Sequence, residues 1–311
     1  MGTVVSVMIA SGDVADRPLR AHRALAWFRH VEQQCSRFEA TSELRRLCER
    51  VGEAVVVSDL LFEALQFALA VAAASDGAFD PTLGAIAEQR GFNRHWRTGE
   101  ETGAVSTMVS TAGAIGTPPT SAAWRHVCLD ADRRTVTIGT PMILDLGALA
   151  KGLAIDLAVR ELADLADFAI YAGGDLYVSG CNVSGAPWTV GIREPTAPHD
   201  ITMTMRVSNM AVCTSGNYER QSSNGRWAHL IDPPAVMRSP HDVRPLSATV
   251  LAPSAMVADA MATAAFVLGS AQGIVFLEEH QVDGLFINAD RSVHTTAGMS
   301  AYFRDGLRDA G

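Results

Sequence analysis

"DFAIYAGGDLYVSG", residues 167–180, reads as a strand, a glycine break and a second strand. Two glycines between apolar runs permit close approach of the backbone. Asp175, directly after them, is placed to cap or to bind; a plain bulge and turn accounts for the same letters. Further strands flank this stretch. Residues 3–10 read as a first strand and "AVVVSD" (54–59) as a short one. "HVCLDADRRTVTIG" (126–139) reads as a hairpin, "WTVGIREP" (188–195) as a strand, and "ITMTMRVSNMAVCTSG" (201–216) as two more. "VDGLFINAD" and "RSVHTTAG" close the series. Helical spacing of apolar residues appears over 18–35 and 60–74. A further helix follows "CSRFEATSELRRL" (35–47), with Thr41 or Ser42 as its cap. "MILDLGALAKGLAIDLAVRELADL" (142–165) reads as strand, tight turn, helix, and "SATVLAP" (247–253) as a strand feeding another helix. The pattern is mixed α+β, with mostly antiparallel sheets packed with helices, and not a regular βαβ series. It is expected to form a single domain over 1–311, or two intimately packed lobes, with an irregular Gly/Ser/Thr/Pro-rich excursion at 97–120.

Composition removes several function classes. The net charge is -9, from 25 basic and 34 acidic residues, and no long basic run occurs. A general nucleic-acid surface is not expected. Five cysteines (35, 48, 128, 181 and 213) make an odd count with no C-x-x-C pair. They read as mostly buried free thiols, not as a disulfide framework or zinc knuckle, and this fits a reducing compartment. The N-terminus lacks a basic region followed by a long apolar one, so the chain as written is expected in the cytoplasm; a leader removed beforehand would make it an exported protein. No stretch has membrane-spanning character, and no membrane segment is expected.

Four stretches offer chemistry. In "DLGALAKG" (145–152), Gly147 and Gly152 bracket a turn that opens a helix. Exposed N–H groups there suit an anion, and Lys151 adds a mobile charge; a tight turn with a solvated lysine is the plainer reading. "CTSGNYER" (213–220) offers Thr214, Ser215 and Asn217 as hydrogen-bonding groups on a loop rim. His229 in "WAHLIDP" is either structural or a phosphate or base contact. Asp80 in "GAFDPTLG" precedes Pro81, a common turn dipeptide. Finally, "APSAMVADAMATAAF" (252–266) is a packed helix that starts near Ser254 and carries Asp259 and Thr263 four residues apart on one face. An unpaired carboxylate there is costly. A hard cation such as Mg²⁺, which takes oxygen ligands, is one partner for it; an arginine or a backbone group is another, with Thr263 bonding back to the carbonyl of residue 259.

Together these segments resemble the FAD:protein FMN transferases. The resemblance rests on "MGT" (1–3), "CSRFEATSELRRL", "GAFDPTLG" (77–84), "LDLGALAKGLAID" (144–156), "AGGDLYVSG" (172–180), "CTSGNYER", "HLIDP" (229–233) and "VLAPSAMVADAMATAAFVLG" (250–269), in that order. It implies a flavin transferase, T-fold-like architecture. It also implies Mg²⁺ as cofactor, FAD as substrate, and an acceptor protein whose Thr or Ser hydroxyl receives FMN while AMP is released. Carried over by position, Asp259 and Thr263 are metal ligands and Ala148 gives the metal a backbone carbonyl. Met1, Asp80, Lys151, Asp175 and Thr214 line the FAD, and His229 and Asp259 stand at the reacting diphosphate. Departures from the family pattern also occur. Members continue "GPLVNLWGFG" where this chain has "GAIAEQRGFN" (84–93), and "HIIDPRTG" where it has "HLIDPPAVMRSP" (229–240). The first alters the edge of the flavin pocket and the second the docking of the target. Three functions stay open at this point: FMN transfer to protein, FAD hydrolysis to FMN and AMP at the same site, and flavin binding without catalysis.

Overall fold

The computed structural model describes residues 2–11, 13, 15–94, 98–99, 122–217, 230–231, 233 and 245–303. The described chain gathers into two compact units. One draws on residues 29–150 and 219–238, the other on 3–28, 151–218 and 239 onward. The architecture is the α+β expected, with antiparallel sheets packed against helices.

The second unit is built on a seven-stranded sheet. Its strands are β1 (Val5–Ile9), β5 (Phe168–Ala172), β6 (Asp175–Ser179), β9 (Met210–Gly216), β10 (Pro245–Ala252), β11 (Asp283–Asn288) and β12 (Val293–Thr295), adjacent in that order. Every pairing is antiparallel. The stretch 167–180 is the β5–β6 hairpin, and Ala172 pairs with Asp175 across a two-residue loop. Such a loop needs left-handed backbone, and Gly173 (φ 60°) and Gly174 (φ 102°) supply it. β10 is an interior strand and is buried on both faces. On one face lies the ribbon β7 (Trp188–Glu194) with β8 (Ala197–Val207), whose Val190, Ile192, Met205 and Val207 pack with Val212, Leu251, Leu285 and Ile287 of the sheet.

The other face of β9 and β10 carries helix α6 (Ala255–Leu268). Eleven of its fourteen residues are buried, so it is enclosed almost all round. Gly269 (φ 85°) then breaks the run and α7 (Ser270–Glu279) begins. Helix α5 (Ala150–Glu161) meets the start of α6 through two features of its sequence. A Cβ on Gly152 would lie 2.2 Å from the Ala255 carbonyl oxygen, so only glycine allows this approach. One turn on, the Asp156 carboxylate accepts hydrogen bonds from the Ser254 hydroxyl (2.6 Å) and from the N–H groups of Ala255 (2.7 Å) and Met256 (3.0 Å). Ser254 in turn accepts from the Val257 N–H at 3.3 Å. The orphan donors of a helix start are thereby satisfied by a neighbouring helix as well as by the local cap.

The first unit holds α2 (Glu43–Cys48), α3 (Asp59–Ala74), α4 (Gly84–Gln89) and a three-stranded sheet. That sheet is β2 (Ala54–Val56), β4 (Thr135–Ile138) and β3 (Val127–Asp130), with β4 central. Ser42 caps α2, accepting from the Arg45 N–H. Helix α1 (Arg17–Cys35) runs through both residue ranges. Two expectations need correction. No strand forms at the start of 142–165; Ile143 makes only a single parallel bridge to Leu83, and the Gly84 N–H bonds the Ile143 carbonyl. The helices α4 and α7 interrupt stretches in which no helix is read from sequence. The excursion at 97–120 lies outside the described residues apart from 98–99.

The five cysteines are free. Cys35, Cys48 and Cys213 are buried, Cys128 is exposed and Cys181 lies between. Burial pushes the thiols of Cys35 and Cys48 up to about 12 and about 11, so both stay protonated and inert. Among the described residues no helix is long and apolar enough to cross a membrane.

The α5–α6 joint makes a stability prediction. Asp156→Ala removes a charged acceptor of three hydrogen bonds and is expected to cost about 2–3 kcal/mol in urea unfolding. Ser254→Ala is expected to cost about 1 kcal/mol. Because each group bonds the other, the double variant is expected to lose less than the two changes added together.

Candidate functional site

The second unit brings two buried carboxylates to one lysine. Asp175 opens β6 directly after the glycine turn and is 1 % exposed; Asp259 lies in the second turn of α6 and is 3 % exposed. Lys151 stands in the first turn of α5. Its Nζ is 3.1 Å from Asp175 Oδ2, and 3.3 and 3.4 Å from Asp259 Oδ1 and Oδ2. Two main-chain donors complete the cluster. The Gly152 N–H donates to Asp259 Oδ2 at 3.1 Å and the Thr214 N–H to Asp175 Oδ1 at 3.1 Å. Asp175 Oδ2 has the ammonium beside it but no aligned hydrogen bond.

The electrostatics follow from burial. Removal from water pushes Asp259 above the usual carboxylate range, while the Lys151 charge and the Gly152 N–H pull it back. Burial alone would lower Lys151, but the Asp175 and Asp259 charges reverse this and hold its ammonium well above its ordinary value. Lys151 is therefore a fixed cation at any physiological pH. With both carboxylates ionised the cluster keeps one net negative charge.

Thr263 lies one helical turn beyond Asp259, as the spacing requires. Its hydroxyl pairs with Ser215 Oγ at 3.0 Å instead of bonding back along the helix. Ser215 comes from β9 and faces α6. Successive strand side chains alternate, so the Thr214 hydroxyl points to the opposite face and meets Thr249 Oγ1 at 2.9 Å. The backbone of Thr214, not its side chain, reaches the acid cluster.

In the first unit, two of the quoted motifs meet. The Asp145 N–H donates to the Pro81 carbonyl (2.7 Å), joining the "FDPT" loop to the turn that carries Ala148. Asp145 accepts from the Gly147 N–H (2.8 Å) and from Arg37 Nε (2.6 Å). Arg37 is buried and also donates to the Phe92 carbonyl at 2.8 Å. Asp80 folds onto its own loop, accepting from the Thr82 N–H and hydroxyl. Burial raises its carboxyl, opposed by these bonds. Ala148 is half-buried in the turn ahead of α5.

Sequence reasoning singled out Lys151, Asp175 and Asp259 separately; the structure joins them. Of the helix-start N–H groups expected to meet an anion, that of Gly152 is bonded to the Asp259 carboxylate. Ser215 was quoted without its partner Thr263. Arg37 and Asp156 were passed over, although each is a charged residue inside a quoted motif. Met1 and His229 lie outside the described residues. Among the described residues no group of three or more His, Cys, Asp or Glu side chains is placed to hold a metal.

Comparison with known proteins places the chain in a family. The sequence model of the ApbE family matches residues 1–286. An FAD:protein FMN transferase of Treponema pallidum is 34 % identical over 282 residues, covering 83 % of this chain and 74 % of that protein. One from Haemophilus influenzae is 25 % identical over 315 residues, covering 97 % and 88 %. Among solved structures, the flavin transferase ApbE from Vibrio cholerae superposes with a TM-score of 0.79 at 24 % identity, covering 97 % and 96 %. The ApbE protein of Thermotoga maritima gives 0.78 at 24 %, covering 97 % and 95 %. At that identity the two structures speak for the fold.

The hydroxyl pair behind Asp259 gives a test of the packing. Thr263→Val leaves the buried Ser215 hydroxyl without its partner and is expected to cost about 1–3 kcal/mol in denaturant unfolding. Adding Ser215→Ala is expected to recover part of that loss, since neither polar group then remains.

Proposed function

The chain belongs to the ApbE family, and on that premise we propose that it is an FAD:protein FMN transferase. It takes the FMN moiety of FAD, attaches it to a Thr or Ser hydroxyl of a target protein and releases AMP. The observation that carries this reading is the Lys151–Asp175–Asp259 cluster with Thr263 one turn beyond. A helix otherwise built of Ala, Met, Val, Phe, Leu and one Thr has no packing reason to keep a carboxylate there, and with both acids ionised the cluster keeps one negative charge.

The donors suit a small hard cation. Carboxylate and hydroxyl oxygens are the ligands Mg²⁺ prefers, and few protein ligands are typical where substrate phosphates complete the shell. Asp259 and Thr263 would hold the ion. Bound there, Mg²⁺ supplies charge neutralisation at phosphate oxygens. In the transfer the acceptor oxygen bonds to the FMN phosphorus and the bond from that phosphorus to the AMP oxygen breaks. The hydroxyl proton passes to a base, for which His229 and Asp259 are the candidates. Lys151 adds a second positive charge on the phosphate side. Met1, Asp80, Asp175 and Thr214 belong to the FAD-binding wall by their positions in the family motifs. Asp175 and the Thr214 backbone serve it through Lys151, which they hold in place. Hydrolysis of FAD would use the same residues with water as acceptor. The altered segment 233–240, which has Pro234 and Val236 where the family pattern reads Arg and Gly, bears on which acceptor is used.

Incubation of the full chain with FAD, Mg²⁺ and a Thr-bearing acceptor peptide tests the proposal. Covalent flavin on the peptide with matching AMP is expected. Free FMN with AMP and an unmodified peptide would assign hydrolysis instead, and no AMP at all would overturn both. Asp259→Asn is expected to lower AMP release at least about a hundredfold, by analogy with loss of one transition-state charge stabiliser, while FAD retention falls less. Full activity in that variant would overturn the metal-face assignment.

A further inference from the structure

Lys151 is the only lysine in 311 residues; the chain carries 24 arginines. Elsewhere in the chain, every positive side chain is a guanidinium. At this position alone it uses a compact ammonium. The two groups differ in a way that matters here. A guanidinium is a rigid planar fork suited to a lasting bidentate pair, whereas an ammonium is a small, strongly hydrated point charge on a flexible four-carbon stem. The Lys151 Nζ sits within 3.1–3.4 Å of three carboxylate oxygens, so its one positive charge is shared between both acids.

Exposure also differs. The carboxylates of Asp175 and Asp259 are closed off, but the Lys151 side chain is 23 % exposed. The lysine side chain thus keeps some contact with solvent, while the two acids are anchored by the main-chain donors of Thr214 and Gly152. The anchors are unequal. Asp259 receives the Gly152 N–H on one of the oxygens it shares with Lys151, while Asp175 gives Lys151 an oxygen with no aligned hydrogen bond. Lys151 is thus the main counter-charge of Asp175 Oδ2 and one of two partners of Asp259.

We propose that Lys151 is an exchangeable counter-ion: a divalent cation replaces it at Asp259, and Asp175 keeps hold of it. The buried acids then have positive charge beside them both before and after the metal arrives. Asp175 acts as a positioning residue for Lys151, and Lys151 sets how tightly the metal is held. This rests on the reading that Asp259 takes a divalent cation.

The exchange is tested with Mn²⁺ alone, in the absence of FAD, on the full chain. Lys151→Ala is expected to bind Mn²⁺ at least about tenfold more tightly than the wild type, because the competing charge is gone. Ethylammonium, the missing end of the side chain, is expected to restore the weaker affinity in proportion to its concentration. Tetramethylammonium, which is bulkier and has no N–H, is expected not to. Lys151→Arg is expected to bind no more tightly than the wild type. An alanine variant that binds Mn²⁺ no more tightly, or that is indifferent to ethylammonium, overturns the exchange. Should Lys151→Ala not fold without metal, the melting midpoint of Lys151→Gln against Mn²⁺ concentration serves instead. It is expected to rise more steeply than the wild type's, and an equal or shallower rise overturns the proposal. The two readings fail separately. Wild-type protein that transfers FMN to the peptide while these variants bind no more tightly sinks the exchange alone. Protein that obeys the exchange but releases no AMP sinks the transferase reading alone.

Discussion

Asp259 is a carboxylate in a helix buried on nearly every side, and the second unit is arranged around keeping it there. Placing an ionised acid among apolar side chains without partners is prohibitive, and a single removed partner leaves an uncompensated charge. Here two partners come from adjacent residues of one helix: the Gly152 N–H and the Lys151 ammonium. Both reach Asp259 only because α5 and α6 touch. That contact depends on the absence of a side chain at Gly152 and on Asp156 closing the first turn of α6. A change in the α5–α6 joint is therefore felt at the acid, even though the joint itself holds no reacting group.

The hairpin 167–180 is the second constraint. Its glycine turn places Asp175 at the first position of β6, so that one carboxylate oxygen meets the Thr214 N–H of β9 and the other meets Lys151. A longer loop would move Asp175 off the strand end. The same sheet supplies Ser215 to Thr263. Strand alternation divides these roles: one face of β9 serves the helix side and the acid cluster, and the other joins the apolar core beneath β7 and β8. The sheet is thereby scaffold and site at once, and that explains why the interior strand β10 is so completely buried.

Much of this was readable from residues alone. Strands separated by short polar or glycine-rich links, with helices at intervals, set the α+β class, and the cap at Ser254 and the i,i+4 face of Asp259 and Thr263 appear as the local rules demand. What escaped was everything that depends on pairing between distant segments. Periodicity can place Lys151 at a helix start and Asp175 after a turn, but not show that 24 residues of chain return one to the other. The apolar run 142–144 resembled a strand because burial and β-branching look alike in either context; it stays single because its neighbour Leu83 offers one bridge and then turns into α4. The second helix after Gly269 was hidden for the opposite reason, as glycines at 269 and 273 weaken the helical signal although Gly273 is needed where Phe286 packs close.

The sparse ligand set at Asp259 follows from the same electrostatics. A site with three or more acids facing inward would bind a metal without help, yet would carry a large negative charge whenever the metal was absent. Two acids and a lysine avoid that state. With both acids ionised and Lys151 in place the cluster has one negative charge, and a bound divalent ion would change its sign instead of merely neutralising it. A positive site is what an incoming diphosphate requires. On the reading that Asp259 takes a divalent cation, the shortage of protein ligands and the lysine among acids would together let one pocket stay folded without the ion and become attractive to phosphate with it.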